Sequence, residues 1–388
     1  MRTIRETDAD TLREVLRAEG PVASVYFGRE IRPRREEAEL RLQTMSRQLA
    51  EQGTDPATLR VLDERVRASL PGTGTLAAFA SGGRLLFATE LPGTRRDDIA
   101  VHRATAHLLP LLEWWQEHPA HVLAVVDRAG ADVQVFPQGS TEAYGQTVEG
   151  PDDEIVRNAP GGWEQMRHQR RAEDSWEHNA ERVAEVLDQD LARVSASLLL
   201  LAGDVRALQY VTEHLPPRVR QQVAVHRVRG SRGERAARRE HARQVADEVH
   251  RAVGEETAAL LNRMSEERHP SGRTVEGPHE TLAALARGQV DTLVLAHDPQ
   301  DGRTAWFGPS PTDVADRKDA LPGAAGNGSA ERAPLADVAV RAAVLTGADV
   351  RIVTGDSAAG GDGGGGNGAA LLAGGIGALC RYPVNAAA

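Results

Sequence analysis

The sequence has few of the residues that most often reveal a protein's chemistry. It contains a single cysteine, Cys380, in 388 residues, which excludes an intramolecular disulfide and a cysteine-based metal site. Because Cys380 lies in an apolar run, we expect a buried thiol. Lys318 is the only lysine, so arginine carries almost all the positive charge. A high-GC genome favours arginine, but arginine also offers two parallel donors to phosphate groups.

Aromatic residues and long apolar runs are also scarce. Aromatics make up 4% of the chain and hydrophobic residues 40%, so the cores must be built from Ala, Val and Leu. No apolar stretch approaches the roughly 20 residues needed to cross a bilayer. Residues 1–20 are charged throughout, without the apolar region of a secretory signal. We therefore expect a cytoplasmic protein without a membrane partner.

Helical and strand patterns alternate along the chain, which predicts an α/β fold. The length favours several domains, and we place them at 1–118, 119–253 and 254–388. Residues 34–51 read as a helix with an inward face, and Asp55 before Pro56 predicts the start of another helix. The inward residues expected on the first helix are Leu40, Leu42, Met45 and Leu49.

The central segment begins with a buried-strand pattern, His121–Asp127, and a second strand follows a short turn. A polar region, 138–160, leads to a long predicted helix over 165–193. Leu198–Leu201 reads as a fully apolar strand. In the last segment, residues 309–334 read as an irregular insertion, with a helix over 335–345 and strands on either side.

A diglycine precedes the long predicted helix of the central segment, and a group of cations lies at the start of that helix. Gly161 and Gly162 give a backbone that turns freely and can be approached closely, and Trp163 follows them. Arginines at a helix N-terminus oppose the helix dipole unless an anion is present, and free amides there attract anions. The pattern indicates a contact with phosphate groups, although an exposed, solvated loop is the alternative. The cations are Arg167, His168, Arg170 and Arg171.

A second concentration of positive charge runs from Arg218 to Arg243, with nine arginines and two acids. The chain as a whole has a net charge of −10, so this excess opposes the overall sign. A local basic face can bind RNA on an otherwise acidic protein, although a solvated helix and loop would have the same pattern. The RNA-binding candidates here are Arg232, Arg235, Arg238 and Arg239.

Other motifs carry little chemistry. The glycine-rich run 360–368 lacks the Gly-Lys-Ser/Thr ending of a phosphate loop and reads as a surface loop. His102 and His107 are five residues apart, so they would not share one helix face as metal ligands do. No Ser/His/Asp or Cys/His arrangement stands out. We expect no metal and no organic cofactor.

The sequence resembles bacterial members of the archaeo-eukaryotic release factor and Pelota superfamily, and more narrowly the actinobacterial branch related to the ribosome hibernation factor Balon. Residues 121–131 are similar to the opening hairpin of that family's central domain. Gly161-Gly162-Trp163 occupies the place of the release factors' Gly-Gly-Gln loop. The resemblance covers about 120–385 and rests before residue 118 on domain order alone. In the third segment it is carried by 276–293, 339–353 and 375–382.

This resemblance implies a three-domain release factor/Pelota-like architecture that enters the ribosomal A site. The first domain would face the decoding centre, and the second would reach ribosomal RNA near the peptidyl-transferase centre. The third would contact a translational GTPase, either elongation factor Tu or another. Such binding would block tRNA entry and protect idle ribosomes during stress.

One departure from the family pattern favours binding over catalysis. Release factors position water with the glutamine of Gly-Gly-Gln, whereas Trp163 stands here and has a single N–H donor and no amide. Tryptophan can stack on a base, so we expect binding without hydrolysis. Gln165 or Gln169 could position water instead, which leaves a peptidyl-tRNA hydrolase or tRNA-cleaving rescue factor as the alternative. A stress protein whose α/β domains bind a small ligand is the third possibility.

Overall fold

The computed structural model confirms a mixed α/β fold. It describes residues 2–4, 6–29, 35–70, 72–93, 97–149, 163–230, 238–269, 271–298, 301–321, 330–353 and 372–384, and the backbone alone for 6–7, 35, 163–176 and 238–241. The chain divides into two compact units. One spans 117–253, and the other combines 2–116 with 254–388. The division into three domains stays a prediction.

The first part of the chain is an antiparallel sheet between two layers of helices. Its elements are α1 (Glu6–Leu16), β1 (Val22–Arg29), α2 (Arg35–Glu51), α3 (Pro56–Ser69), β2 (Gly74–Ser81), β3 (Arg84–Leu91), β4 (Ile99–Arg103) and α4 (Leu109–Glu117). The strand order is β3-β2-β1-β4. Every residue of β1 and β2 is buried. Helices α2 and α3 share a core with one set of strand residues, and α1 and α4 with another.

Helix α3 begins where the sequence predicts, but one residue that was predicted to lie in the core is exposed. Asp55 caps α3, because its carboxylate accepts the backbone N–H groups of Ala57 and Thr58 at 3.0 and 2.9 Å. Leu40 was expected to point inward and is 64% exposed. The buried positions of α2 recur every three or four residues, which places Leu40 on the opposite face. They are Ala38, Leu42, Met45 and Leu49.

The central unit is a five-stranded sheet. Its elements are β5 (His121–Asp127), β6 (Gly130–Phe136), β7 (Tyr144–Glu149), α5 (Trp163–Arg193), β8 (Leu198–Gly203), α6 (Val205–His214), α7 (Pro217–Gln222), β9 (Ala224–Arg227) and the first part of α8 (Arg238–Glu266). The order is β7-β6-β5-β8-β9. Strands β5, β8 and β9 run parallel, whereas β6 and β7 are antiparallel.

Strand β8 is buried on both faces, as its run of leucines predicts. Leu199 and Leu201 share a core with residues of α5 and α6. Leu198 and Leu200 belong to a second core with Val245 and Val249 of α8. Two helical layers therefore enclose the middle of the sheet.

The last part of the chain contains two further sheets. Its elements are β10 (Thr274–Glu276), α9 (Pro278–Ala286), β11 (Val290–Ala296), β12 (Thr304–Phe307), β13 (Val314–Ala315), β14 (Glu331–Pro334), α10 (Leu335–Leu345), β15 (Asp349–Val353) and β16 (Ile376–Cys380). The sheet orders are β10-β16-β11-β15 and β13-β12-β14. Cys380 is buried, as expected, and burial raises the pKa of its thiol to about 11.

The two ends of the chain share one hydrophobic core. Leu12 of α1, Leu112 of α4 and Val338 of α10 are each 0% exposed and belong to the same cluster. Polar contacts join the same parts: Asp337 of α10 accepts from Arg103 at 2.5 Å and lies 2.8 Å from the ring Nδ1 of His107. Residues 2–116 and 254–388 therefore pack as one body.

Strands occur in the polar region before the long central helix and in the segment that was predicted to be irregular. Region 138–160 includes β7, whose residues are mostly exposed, and region 309–334 includes β13 and β14. Short or exposed strands have little apolar alternation, so the sequence pattern does not indicate them. The glycine-rich run 360–368 lies outside the described residues. Within the described ranges, each helix is too short or too polar to span a bilayer.

Candidate nucleic-acid interface of the central unit

Helix α5 is far longer than the sheet it covers. Its 31 residues extend about 46 Å, whereas the seven residues of β5 extend about 23 Å. The side-chain amide of Asn179 donates to the carbonyl of Arg128, just after β5, at 3.1 Å. About 24 Å of helix separates Trp163 from Asn179. Among the described strands of the sheet, none therefore runs beside the first half of α5.

The predicted loop residues belong to this first half of α5. Trp163 is the first residue of the helix, so the tryptophan does not form part of the preceding loop. Gly161 and Gly162 lie outside the described residues. The backbone of the remaining candidates continues the same helix, which brings them within its first turns: Gln165, Arg167, His168, Gln169, Arg170 and Arg171.

The Asn179 contact also tells which end of the sheet α5 starts from. It joins α5 to the turn after β5, which is the carboxyl end of that strand. Because β5, β8 and β9 are parallel, their carboxyl ends share one edge. The start of α5 therefore extends from the same edge. We call the residues that follow these three strands the carboxyl edge.

The arginine-rich stretch divides between opposite ends of β9. Arg218 lies in α7, before the strand, and forms an ion pair with Asp188 of α5. Arg227 is the last residue of β9 and is exposed. The other candidates, Arg232 and Arg235, lie outside the described residues, and Arg238 and Arg239 open α8. Only part of the stretch thus reaches the carboxyl edge.

The structure adds two arginines that the sequence analysis did not single out. Arg128 follows β5, and Arg206 lies in the first turn of α6, just after β8. Both are exposed. A pattern in the sequence could have indicated them, because Arg128 directly follows the predicted strand His121–Asp127 and Arg206 lies five residues after the predicted strand Leu198–Leu201.

The carboxylates at this edge accept backbone N–H groups. Asp127 accepts from Ala129 and Gly130 at 2.9 and 3.1 Å, closing the turn between β5 and β6. Asp204 caps α6 by accepting from Arg206 and Ala207 at 2.9 and 3.1 Å. These hydrogen bonds engage both carboxylates: Asp127 closes a turn, and Asp204 caps a helix. The edge therefore presents arginine side chains beside carboxylates that are already bonded.

Gly203 fixes the backbone at the centre of the carboxyl edge. Its φ is +125°, and a Cβ added there would lie 1.8 Å from the carbonyl oxygen of Val126. The N–H of Asp204 donates to the same oxygen at 3.0 Å. Only glycine suits this position, so the turn after β8 is held tightly against β5.

A polar cluster fixes α8 against β9. The ring Nδ1 of His226 lies 2.8 Å from Glu248 and 3.0 Å from Arg251. The hydrogen bond from Arg251 holds the pKa of the Glu248 carboxyl below its usual value. Among the described side chains, no three His, Cys, Asp or Glu residues are grouped as a metal site would require.

The region that carries this edge has a recognisable relative. Residues 120–270 match bacterial archaeo-eukaryotic release factor family 2. The match begins one residue before β5 and ends beyond α8, so it covers nearly the whole central unit. The Mycobacterium tuberculosis protein Rv2629 is 27% identical over 294 residues, which cover 74% of this chain and 78% of that protein.

Solved structures of termination-like factors resemble the chain only weakly. The archaeal termination factor aRF1 is 16% identical, with a TM-score of 0.23, and covers 96% of this chain and 97% of its own. Archaeal Pelota, from a model of its ribosome-bound form with ABCE1, is 13% identical, with a TM-score of 0.41 and coverages of 99% and 96%. Saccharomyces cerevisiae Dom34 is 8% identical, with a TM-score of 0.39 and coverages of 100% and 96%. Scores this low do not establish a shared arrangement of units.

Proposed function

We propose that the protein is a ribosome-associated hibernation or stress factor that binds without hydrolysis. It occupies the A site and contacts ribosomal RNA near the peptidyl-transferase centre through the segment from Gly161 to Arg171. The observation that carries the proposal is the match of residues 120–270 to a release factor family. The segment from Gly161 to Arg171 lies inside that match, and from Trp163 onward it forms the start of α5, beside which no described strand runs.

The residue types of this segment favour binding over catalysis. Trp163 has no side-chain amide with which to position water, but its ring offers a surface for stacking on a base. Arg167, Arg170 and Arg171 supply phosphate contacts at a helix start, where backbone amides favour anions. The hydrolase alternative depends on Gln165 and Gln169, which are four residues apart and so share one face of α5.

The other parts of the molecule receive roles by resemblance. We propose that residues 1–118 face the decoding centre and that residues 254–388 contact elongation factor Tu or another translational GTPase. Because the two parts pack as one body, both contacts would be made by a single unit. The ribosome is the common partner of all these roles.

Co-sedimentation with ribosomes tests the proposal. The full-length protein should pellet with purified ribosomes at moderate salt. Arg167→Gln/Arg170→Gln/Arg171→Gln should weaken the association about tenfold or more, since several phosphate contacts are lost. The matched control is Arg263→Gln/Arg317→Gln/Arg332→Gln, which removes the same charge from exposed positions within residues 254–388, the part proposed to contact a GTPase. Unchanged binding of the first variant would remove these residues from the proposal.

A second assay separates the binding factor from the hydrolase. Ribosomes carrying labelled peptidyl-tRNA are incubated with the protein, and release of peptide or tRNA fragments is followed. We expect no release above the rate without protein. Release that disappears in Gln165→Ala or Gln169→Ala, but persists in Gln209→Ala on α6, would establish the hydrolase instead.

A further inference from the structure

Three neighbouring parallel strands of the central sheet each end at an exposed arginine. Arg128 follows β5, Arg206 follows β8 after a short turn, and Arg227 ends β9. The three strands are adjacent in the sheet. Among the described residues, none of these arginines has an ion pair or a side-chain hydrogen bond. Their guanidinium groups are thus available to a partner.

The sheet sets the spacing of the strands that lead to these arginines. Adjacent strands lie about 4.8 Å apart, so the strands that carry Arg128 and Arg227 are about 10 Å apart. One strand of B-form DNA presents a phosphate about every 3.4 Å along the helix axis, so 10 Å spans about three phosphates. The middle strand of the three is held firmly, because β8 is buried on both faces and Gly203 holds its end against β5.

Charge and chemistry favour a phosphate chain over a carboxylate surface. Arginine binds phosphate through two parallel N–H groups, and none of these three has a partner to release among the described residues. Asp127 and Asp204 accept backbone N–H groups nearby, so they compete less for the guanidinium groups than unbonded carboxylates would. The net charge of the chain, −10, makes such an edge locally distinct from the average surface.

We propose that Arg128, Arg206 and Arg227 form a binding site for the backbone of single-stranded RNA. The site reads charge and not sequence, since its contacts go to phosphates. It lies on the folded sheet and is separate from the Gly161–Arg171 segment. It does not depend on the ribosome proposal, because a site of this kind binds RNA outside the ribosome as well.

The test measures binding of labelled oligouridylate by the full-length protein over a range of salt concentrations. Each phosphate contact on single-stranded nucleic acid contributes about 0.7 to the slope of log affinity against log salt. Arg128→Gln/Arg206→Gln/Arg227→Gln should therefore lower the slope by about 2. If the two proteins bind equally at about 1 M salt, their affinities should differ about 100-fold at about 0.1 M.

The matched control is Arg60→Gln/Arg84→Gln/Arg220→Gln. These arginines are exposed, and Arg220 lies in the central unit before β9. The control changes the net charge equally and should keep the wild-type slope. If both variants lowered the slope equally, net charge alone would explain the effect and the proposal would fail. An unchanged slope in Arg128→Gln/Arg206→Gln/Arg227→Gln would also overturn the proposal. Equal thermal unfolding of the variants excludes misfolding as the cause.

Two further measurements give the partner and separate the two proposals. Polyglutamate, the acidic-peptide probe, should compete weakly with oligouridylate; competition at equal charge concentration would assign the edge to an acidic protein and overturn the RNA site. The variant Arg167→Gln/Arg170→Gln/Arg171→Gln should retain the slope contribution of the edge. RNA binding that persists in a protein that fails to pellet with ribosomes would refute the ribosome proposal and leave the RNA site standing.

Discussion

At the scale of single residues, His121 has an imidazole whose pKa is set by burial. Its ring is 6% exposed and is stacked on Phe136 with the centroids 4.3 Å apart. The ring Nδ1 lies 2.8 Å from the carbonyl oxygen of Pro119 and donates to it in the neutral tautomer. Burial lowers the pKa of the imidazole to about 4 from an ordinary 6.5. The folded state therefore holds this ring neutral.

Acid should destabilise the central unit through His121. A folded pKa below the unfolded one gives stability that is complete above pH 6.5 and is lost as pH falls towards 4. The loss reaches about 3 kcal/mol, from about 1.4 kcal/mol per pKa unit. The glutamine in His121→Gln cannot titrate, so this variant does not lose stability from this source. The free energy of unfolding of the wild type should therefore fall by about 3 kcal/mol relative to that of the variant between pH 7 and 4. Denaturant unfolding at several pH values measures this.

The control for this experiment is His178→Gln. His178 lies on α5 in the same unit, and its side chain is 66% exposed. Its variant should follow the wild-type pH profile. If His121→Gln and the wild type lost stability in parallel between pH 7 and 4, the buried neutral ring would not be the cause.

The sequence predicts buried apolar residues well and local polar partners less well. Cys380 and Leu42 are buried as expected, because an apolar residue in a periodic pattern has one favourable environment. Leu40 is exposed, because an apolar side chain can also occur singly on a surface. Arg128 and Arg206 were missed because their interest comes from the strands beside them. Whether Trp163 and the diglycine bind RNA stays a prediction.

At the scale of elements, the tight turn between β8 and α6 depends on Gly203. Gly203→Ala should destabilise the central unit by more than about 1–3 kcal/mol, which is the range for a strained backbone alone. An added methyl group would also contact the Val126 carbonyl oxygen at 1.8 Å. Thermal unfolding of the full-length protein, with hydrogen exchange of β8 and β5, measures the effect.

At Gly254 in α8, substitution by alanine is expected to have the opposite effect on stability. It lies within the helix, and a Cβ added there would meet nothing within 4 Å. Gly254→Ala should stabilise the protein by up to about 1 kcal/mol, since alanine favours helix more than glycine does. If Gly203→Ala and Gly254→Ala changed the stability of the protein by similar amounts, the backbone geometry at Gly203 would not be the cause of the destabilisation.

Element types could be predicted where packing and pattern agree. Strand β8 and helix α10 were expected because a buried apolar run and a helical period leave little choice. Strand β7 was missed because its residues are mostly exposed and it is held by pairing with β6. Pairing between strands is a long-range property that no local pattern contains.

At the scale of the whole molecule, the feature to test is the union of the two chain ends. The side chain of Gln116, at the end of α4, makes two hydrogen bonds to Ile352 on the edge strand β15. Its amide donates to the Ile352 carbonyl at 2.6 Å and accepts from the Ile352 N–H at 2.8 Å. It thus occupies the place of a neighbouring strand. The backbone N–H groups of Thr3 and Ile4 likewise donate to Asp349.

Gln116→Leu should loosen both ends of the chain together. It keeps similar volume but leaves a buried donor and acceptor on β15 without these hydrogen bonds, at about 1–3 kcal/mol each. Hydrogen exchange should rise in β15 and α10 and also in α1 and α4, with β5 and β8 unchanged. Gln48→Leu, at an exposed position of α2, is the control. Faster exchange confined to β15 would contradict a shared body.

The sequence could not predict this union. Gln116 and Ile352 are 236 residues apart, and neither lies in a motif that indicates the other. Composition and local periodicity indicate domains as consecutive segments, which is why three were predicted. The α/β class follows from the alternation of elements, whereas the joining of the first and last segments follows only from their packing.

The shared core of the two ends constrains how the chain folds while it is being synthesised. Residues 2–116 leave the ribosome before the central unit, yet α1 and α4 find part of their apolar contacts only in α10, which emerges after the central unit. The central unit has its own core and can be complete before then, as domains generally fold in order of emergence. Residues 2–116 are therefore made before the central unit but reach their final packing after it, and the nascent protein must keep the apolar faces of α1 and α4 from aggregating in the interval.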